Sequence, residues 1–166
     1  MPASDQGVNH ERYMLVPRTL IFITRGERVL LIKGAKDKRL WPGLYNGIGG
    51  HVEEGEDILS AARRELSEET GLDEVDLWLC GVLTVDTQVN PGICVFIFRG
   101  EMSSEVLRPS KEGLVDWVEK TAIDQFPLVA DLPILLPRIL EIKKGDPPFF
   151  AHSRYDDRGN LELNFD

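Results

Sequence analysis

Three glutamates, Glu65, Glu68 and Glu69, crowd one stretch of the chain. At 100° per residue they fall at about 0°, −60° and +40° around a helix axis, in one stripe. Such a stripe is mildly unfavourable. Glu65 meets like charges at i+3 and i+4, at about 0.2–0.5 kcal/mol each. Glu68 and Glu69 also face the negative end of the helix dipole, at about 0.3–1 kcal/mol each. Just upstream, Tyr45-Asn-Gly-Ile-Gly-Gly50 places three glycines in four residues. A glycine loop lets backbone carbonyls and amides come close to a ligand. Carboxylates beside such a loop make an oxygen-rich site suited to Mg²⁺ or Mn²⁺. Arg64 stands one residue before Glu65 and four before Glu68, so it can pair with Glu68 or orient Glu65. A breach of helix rules beside a glycine loop is where a functional site is expected.

The elements that must position these residues follow from periodicity. Ile58, Leu59, Ala62 and Leu66 recur at helical spacing, Glu56 and Asp57 precede them, and Gly71 follows. The pattern predicts a helix over 58–70. Apolar and β-branched runs predict strands over 15–24, 29–33, 77–89, 93–99, 114–118, 149–155 and 161–165, with a short glycine-rich strand over 46–52. Residues 34–45 read as a loop. A second helix is predicted over 132–143, interrupted or kinked near Pro137. Strands flanked by two helices define an α+β class, a mixed α/β sandwich.

Composition sets the outer bounds. With 166 residues and 42% apolar content the chain can bury a core as one domain over 1–166. Residues 1–12 are expected to form a flexible N-terminal segment. The net charge is −9, unevenly spread: +4 over residues 1–40 and −8 over 50–80. That balance disfavours a protein that coats a nucleic-acid polymer. No apolar run has the roughly 20 residues of a membrane span. The N-terminus lacks a signal-peptide pattern, and two cysteines are too few for a disulfide framework. A cytoplasmic protein without membrane contact is the expectation.

Residues 50–72, GHVEEGEDILSAARRELSEETGL, resemble the Nudix box, G-x5-E-x7-R-E-U-x-E-E-x-G-U, where U is bulky and apolar. Gly50, Glu56, Arg64, Glu65, Leu66, Glu68, Glu69, Gly71 and Leu72 fill every defined position. The resemblance implies a Nudix-type αβα sandwich with a mixed central sheet. It also implies a Mg²⁺-dependent hydrolase (Mn²⁺ being the other candidate) that cleaves a nucleoside diphosphate linked to a group X. By the same resemblance Glu65, Glu68 and Glu69 bind metal, together with the Gly49 carbonyl. Glu56 supports the loop and contacts metal through water, and Arg64 holds a catalytic carboxylate. Glu112 is the candidate for a further ligand from a later loop. Glu65 or Glu69 serves as general base.

Within the family, Trp41–Gly50 (WPGLYNGIGG) is similar to the MutT-like branch that hydrolyses oxidised purine triphosphates such as 8-oxo-dGTP. By that likeness Asn46 reads the purine edge, with an amide that both donates and accepts. Phe126-Pro127 is followed by Leu128-Val129 rather than by acids, so Asp131 is the nearest carboxylate, either for the purine or as a helix cap. Phe126 is a candidate to stack on the base and Lys33 to lie near the phosphates. The expected partner is a small nucleotide, bound by a monomer or homodimer, with release of NMP and pyrophosphate. The alternatives are hydrolysis of ADP-ribose or a dinucleoside polyphosphate, or a nucleotide-sensing domain without catalysis.

Overall fold

The computed structural model describes residues 3–7, 9, 11–35, 41–103 and 113–166. Along the chain come strands β1 (Leu15–Arg25), β2 (Arg28–Gly34) and β3 (Tyr45–Asn46), then helix α1 (Ile58–Thr70). Strands β4 (Leu77–Val85), β5 (Gly92–Glu101) and β6 (Gly113–Glu119) follow. Helix α2 (Leu132–Glu141) leads to the closing hairpin of β7 (Phe149–Tyr155) and β8 (Leu161–Phe165). Short 3-10 segments occupy Ala3–Gln6 and Lys120–Gln125.

The strands join in one mixed sheet, ordered β3-β2-β1-β5-β4-β7-β8, with β6 also on β2. β1 runs parallel to β5 from Leu15 opposite Gly92 to Thr24 opposite Glu101. Period-2 alternation on β1 serves two cores at once. Ile21 and Ile23 pack with Leu30, Ile48, Ala62 and Leu66 on the α1 face. Phe22 packs with Leu31, Leu83, Ile97, Leu132, Leu135 and Ile139 on the α2 face. Full burial of each such large side chain contributes about 1.5–3 kcal/mol. The result is the αβα sandwich with a mixed sheet that the sequence predicts.

One feature of the sheet creates the site. β1 and β2 pair only at their hairpin tip, Thr24 with Val29 and Arg25 with Arg28. Farther down they part, and the glycine loop takes β2's place beside β1. Ile21 and Ile48 exchange N–H···O bonds of 2.7 and 3.1 Å. The Thr19 N–H donates to the Gly50 carbonyl at 2.9 Å and the Val52 N–H to that of Pro17 at 3.2 Å.

Several predicted boundaries move. The strand expected over 46–52 is only two residues long as β3, and the loop touches β1 through the single bridges Arg18–His51 and Ile21–Ile48. β4 stops at Val85 instead of 89, because Asp86 turns the chain by accepting the Gln88 N–H at 2.7 Å, with Gln88 at φ 61°. α2 continues through Pro137 without a break. Pro137 removes one hydrogen bond, but buried Leu135, Leu136 and Ile139 hold the segment against the sheet. α2 ends at Glu141, where Arg99 takes the carbonyls of Leu140 and Ile142. Both cysteines are free, and burial pushes the Cys80 thiol up to about 12.

Candidate active site

α1 begins at a true cap. Asp57 accepts the N–H groups of Leu59 and Ser60 at 2.9 and 3.0 Å and the Ser60 hydroxyl at 2.7 Å. The helix stops at Gly71, left-handed at φ 73°, whose N–H returns to the Ser67 carbonyl. Between these ends the three glutamates diverge. Glu69 is only 4% exposed and accepts the Gly49 N–H at 3.1 Å. Glu65 lies under Gly50, where a Cβ would stand 2.4 Å from its carboxylate. The Glu68 side chain is 60% exposed and turns toward solvent.

Arg64 ties this group together. Its Nε and Nη2 fork onto Glu56 at 3.1 and 2.7 Å. Its Nη1 donates to Glu65 at 2.8 Å and to Glu68 at 3.4 Å, and Nη2 also donates to the His51 carbonyl at 3.0 Å. These bonds raise the arginine's already high pKa, those to Glu56 most. In return Arg64, helped by the Glu53 N–H, holds the Glu56 carboxyl below its usual range.

The glycines are needed for contact, not only for turning. Gly49 has φ 151°, and a Cβ there would stand 2.1 Å from the Thr19 carbonyl oxygen. A Gly47 Cβ would stand 2.7 Å from the Phe22 ring and 2.9 Å from Leu20. The loop therefore lies flat on β1 and delivers its backbone to the carboxylates.

On the α2 face a second group gathers. Tyr45 pairs with the segment after the 3-10 turn, its N–H bonding the Pro127 carbonyl at 2.8 Å and its carbonyl accepting from Val129 at 3.1 Å. The Phe126 ring meets the Tyr45 ring edge-on at 5.1 Å. Lys33 lies 5.3 Å from the Tyr45 ring centre. The Tyr45 hydroxyl donates to Asp116 at 2.9 Å. Asn46 is the joint between the two groups. Its Oδ1 accepts the Gly47 N–H at 2.8 Å, and its amide nitrogen has no partner among the described residues. Asp131 occupies the cap position of α2 yet makes no side-chain cap bond, and burial raises its carboxyl pKa. It is the cap residue of α2 by position, with its carbonyl accepting the Ile134 and Leu135 N–H groups, but not through its side chain. Glu112 lies outside the described residues.

The donors around Gly49 are hard oxygens, the class that divalent Mg²⁺ or Mn²⁺ takes. The Gly49 carbonyl accepts no hydrogen bond among the described residues, and the buried Glu69 carboxylate stands beside it. The donor chemistry fits such a cation. Among the described residues no three His, Cys, Asp or Glu side chains already converge into a cage. Sequence reasoning missed Asp116, whose pairing opposite Leu31 on β2 sets it beneath Tyr45. It missed the His51 carbonyl too, because a backbone acceptor leaves no trace in residue types.

The comparisons agree with this geometry. A family model for the NUDIX domain matches residues 14–139. An oxidized purine nucleoside triphosphate hydrolase of Mus musculus is 31% identical over 144 residues, covering 86% of this chain and 88% of its own. A MutT protein from Bacillus halodurans superposes with a TM-score of 0.75 at 23% identity, covering 92% of this chain and 98% of its own. The NUDIX domain of Shewanella oneidensis NrtR, solved with ADP ribose, gives 0.70 at 16% identity, over 85% and 98% of the two chains. These two structures speak for the fold. With the family match running through both the glycine loop and the arginine-bound glutamates, the chain belongs to the Nudix hydrolases, which act on nucleotide phosphoanhydride bonds.

Proposed function

We propose that this protein hydrolyses a nucleoside triphosphate, an oxidised purine one by preference, to the monophosphate and pyrophosphate. The observation that carries the reading is the set of carboxylates at the glycine loop, with Glu69 on the Gly49 amide at 3.1 Å and Glu65 under Gly50, held by Arg64 at 2.8 Å. The murine relative's name supports the substrate class. Asn46, whose amide nitrogen has no partner among the described residues, supports a purine edge as the thing bound.

In this reading Glu65, Glu68, Glu69 and the Gly49 carbonyl hold the cation, with Glu56 behind them. A divalent cation there would neutralise phosphate oxygens, polarise phosphorus and acidify water. The protein's own share is positional. Arg64 fixes Glu65, and the Gly49 amide fixes Glu69, so that one of these two glutamates stands ready to take the proton of the attacking water. Lys33 stands over the Tyr45 ring, on the side of the loop that takes the base. The protein acts in the cytoplasm as a single domain, as monomer or homodimer, without a nucleic-acid polymer or membrane.

The test is release of pyrophosphate and phosphate with Mg²⁺ from 8-oxo-dGTP, the canonical dNTPs, ADP-ribose and a dinucleoside polyphosphate, beside a Glu69→Gln control. The reading expects 8-oxo-dGTP to lead, pyrophosphate to be the product, and the variant to be inactive. Preferred turnover of ADP-ribose would replace the substrate class. Folded protein that binds nucleotides yet turns none over would make it a sensor.

A further inference from the structure

The carboxylates leave a problem of charge. The α1 side of the loop is negative, and a nucleotide is negative. Arg18 supplies the opposite sign on the other side of the sheet. It lies on β1 where the loop attaches, bridged to His51 and one residue from the Thr19–Gly50 bond. Alternation along β1 puts Arg18 on the same face as Leu20 and Phe22, the α2 face, and its register partner Val95 packs on that face too. Leu20 and Phe22 lie directly under Gly47. Arg18 is the next residue of that row toward the rim, about 7 Å from Leu20 along the strand.

Its state is unusual for an arginine. It is half-buried, and its Nε is shielded from solvent without a hydrogen-bond partner. Among the described residues it forms no ion pair. Burial lowers its pKa. A guanidinium with a shielded, unpartnered Nε is partly desolvated at a cost, and an acceptor arriving from outside stabilises it. The surroundings say which part of the ligand arrives. Leu20 and Phe126, partly buried over the core residues Phe22 and Tyr45, offer an apolar surface to a flat base, whereas the carboxylates that would hold a cation for the phosphates belong to the α1 side.

We propose that Arg18 is a specificity-determining residue that donates from its guanidinium to a carbonyl oxygen of the bound nucleobase. This rests on the nucleotide reading above. Arginine offers donors only, so it is matched by a base with a carbonyl oxygen at that edge, as in guanine and 8-oxopurines, whereas adenine sets its N6 amine, another donor, where guanine has O6. Asn46 and Arg18 then contact the base from either side of Gly47.

The experiment is calorimetric binding of GMP, 8-oxo-GMP, AMP and inorganic pyrophosphate without divalent cation to the full chain, as wild type, Arg18→Gln and Arg18→Lys. The ligand-free melting temperature of each variant is recorded to show that it is folded. Wild type is expected to bind the carbonyl-bearing purines more tightly than AMP. Arg18→Gln is expected to lose them about tenfold or more while AMP changes less than threefold, and Arg18→Lys to recover part of the loss. An equal fall for all four ligands would make Arg18 a phosphate contact and overturn the proposal. Unchanged affinities would make it structural and overturn it as well. If wild type prefers the carbonyl-bearing purines and Arg18→Gln keeps that preference, only this proposal falls. If wild type binds no purine monophosphate, this proposal and the substrate reading fall together.

Discussion

Arg64 bonds three carboxylates and a backbone carbonyl with one side chain. Such a role depends on the planar fork of the guanidinium, which a lysine cannot reproduce. Arg64→Lys is therefore expected to fold, keep its substrate KM within about threefold, and lose about 10–100-fold in kcat, as outer-shell partners of metal sites do. Steady-state kinetics with the melting temperature check this, and a change in KM alone would refute the positioning role. The Glu56 partnership also has a pH signature. Its carboxyl is held below the usual 4.5, so it binds protons less readily folded than unfolded. Its stabilisation is present above about pH 4.5 and is lost as pH falls through the lower folded value. Glu56→Gln should melt below wild type at pH 7, with the gap closing on titration toward pH 3. A gap that stays constant with pH would mean that the ion pair contributes nothing.

At the scale of elements, the split between β1 and β2 and the flat glycine loop in it do most to form the site. The two adjacent glycines there should fail differently. At Gly49 an added Cβ meets the Thr19 carbonyl at 2.1 Å, and that backbone is locked in the sheet beside β5. Gly49→Ala is expected to destabilise by at least about 2 kcal/mol in denaturant unfolding. At Gly50 the obstacle is the end of a flexible side chain, the Glu65 carboxylate at 2.4 Å. Gly50→Ala should keep most of its stability and lose activity, because Glu65 must swing away. Equal destabilisation by both would show that the loop's contact with β1 is not what distinguishes them. Much of this element was legible beforehand. Asp57 and Gly71 bracket α1 at the expected residues because capping chemistry is local, and the β7–β8 hairpin matches because its alternation is clean. The strand over 46–52 was over-read because isoleucine and valine between glycines look like one, while only Asn46 pairs with β2 and the rest meets β1 through single bridges at Ile48 and His51. The burial of Glu69 was invisible for a similar reason. A glutamate in an acidic stripe looks solvated until the loop that covers it is placed.

At the scale of the whole molecule, the two helices divide the work. α1 carries the carboxylates on one face of the sheet. α2 closes the other core, and its first turn follows the segment that pairs with Tyr45. The far end of α2 is fastened by Arg99, which is 7% exposed. Its Nη1 donates to the Leu140 and Ile142 carbonyls at 2.8 Å each, and its Nη2 donates to Glu101 at 3.0 Å. The guanidinium also lies 5.5 Å from the Trp78 ring. The helix's last carbonyls thus have a partner that a short, proline-containing helix cannot supply itself. Arg99→Met keeps the unbranched stem and removes those bonds, leaving buried acceptors unmet. The expected cost is about 3 kcal/mol, or a melting temperature lower by about 6–12 °C for a chain of this size. This anchor sits at the opposite end of β1 from the glycine loop, beside Thr24 rather than Thr19. The kcat/KM measured well below the transition should therefore stay within about threefold of wild type. A large loss of activity with little loss of stability would mean that tension in α2 reaches the base-binding face, and that the two ends of the helix cannot be treated as separate.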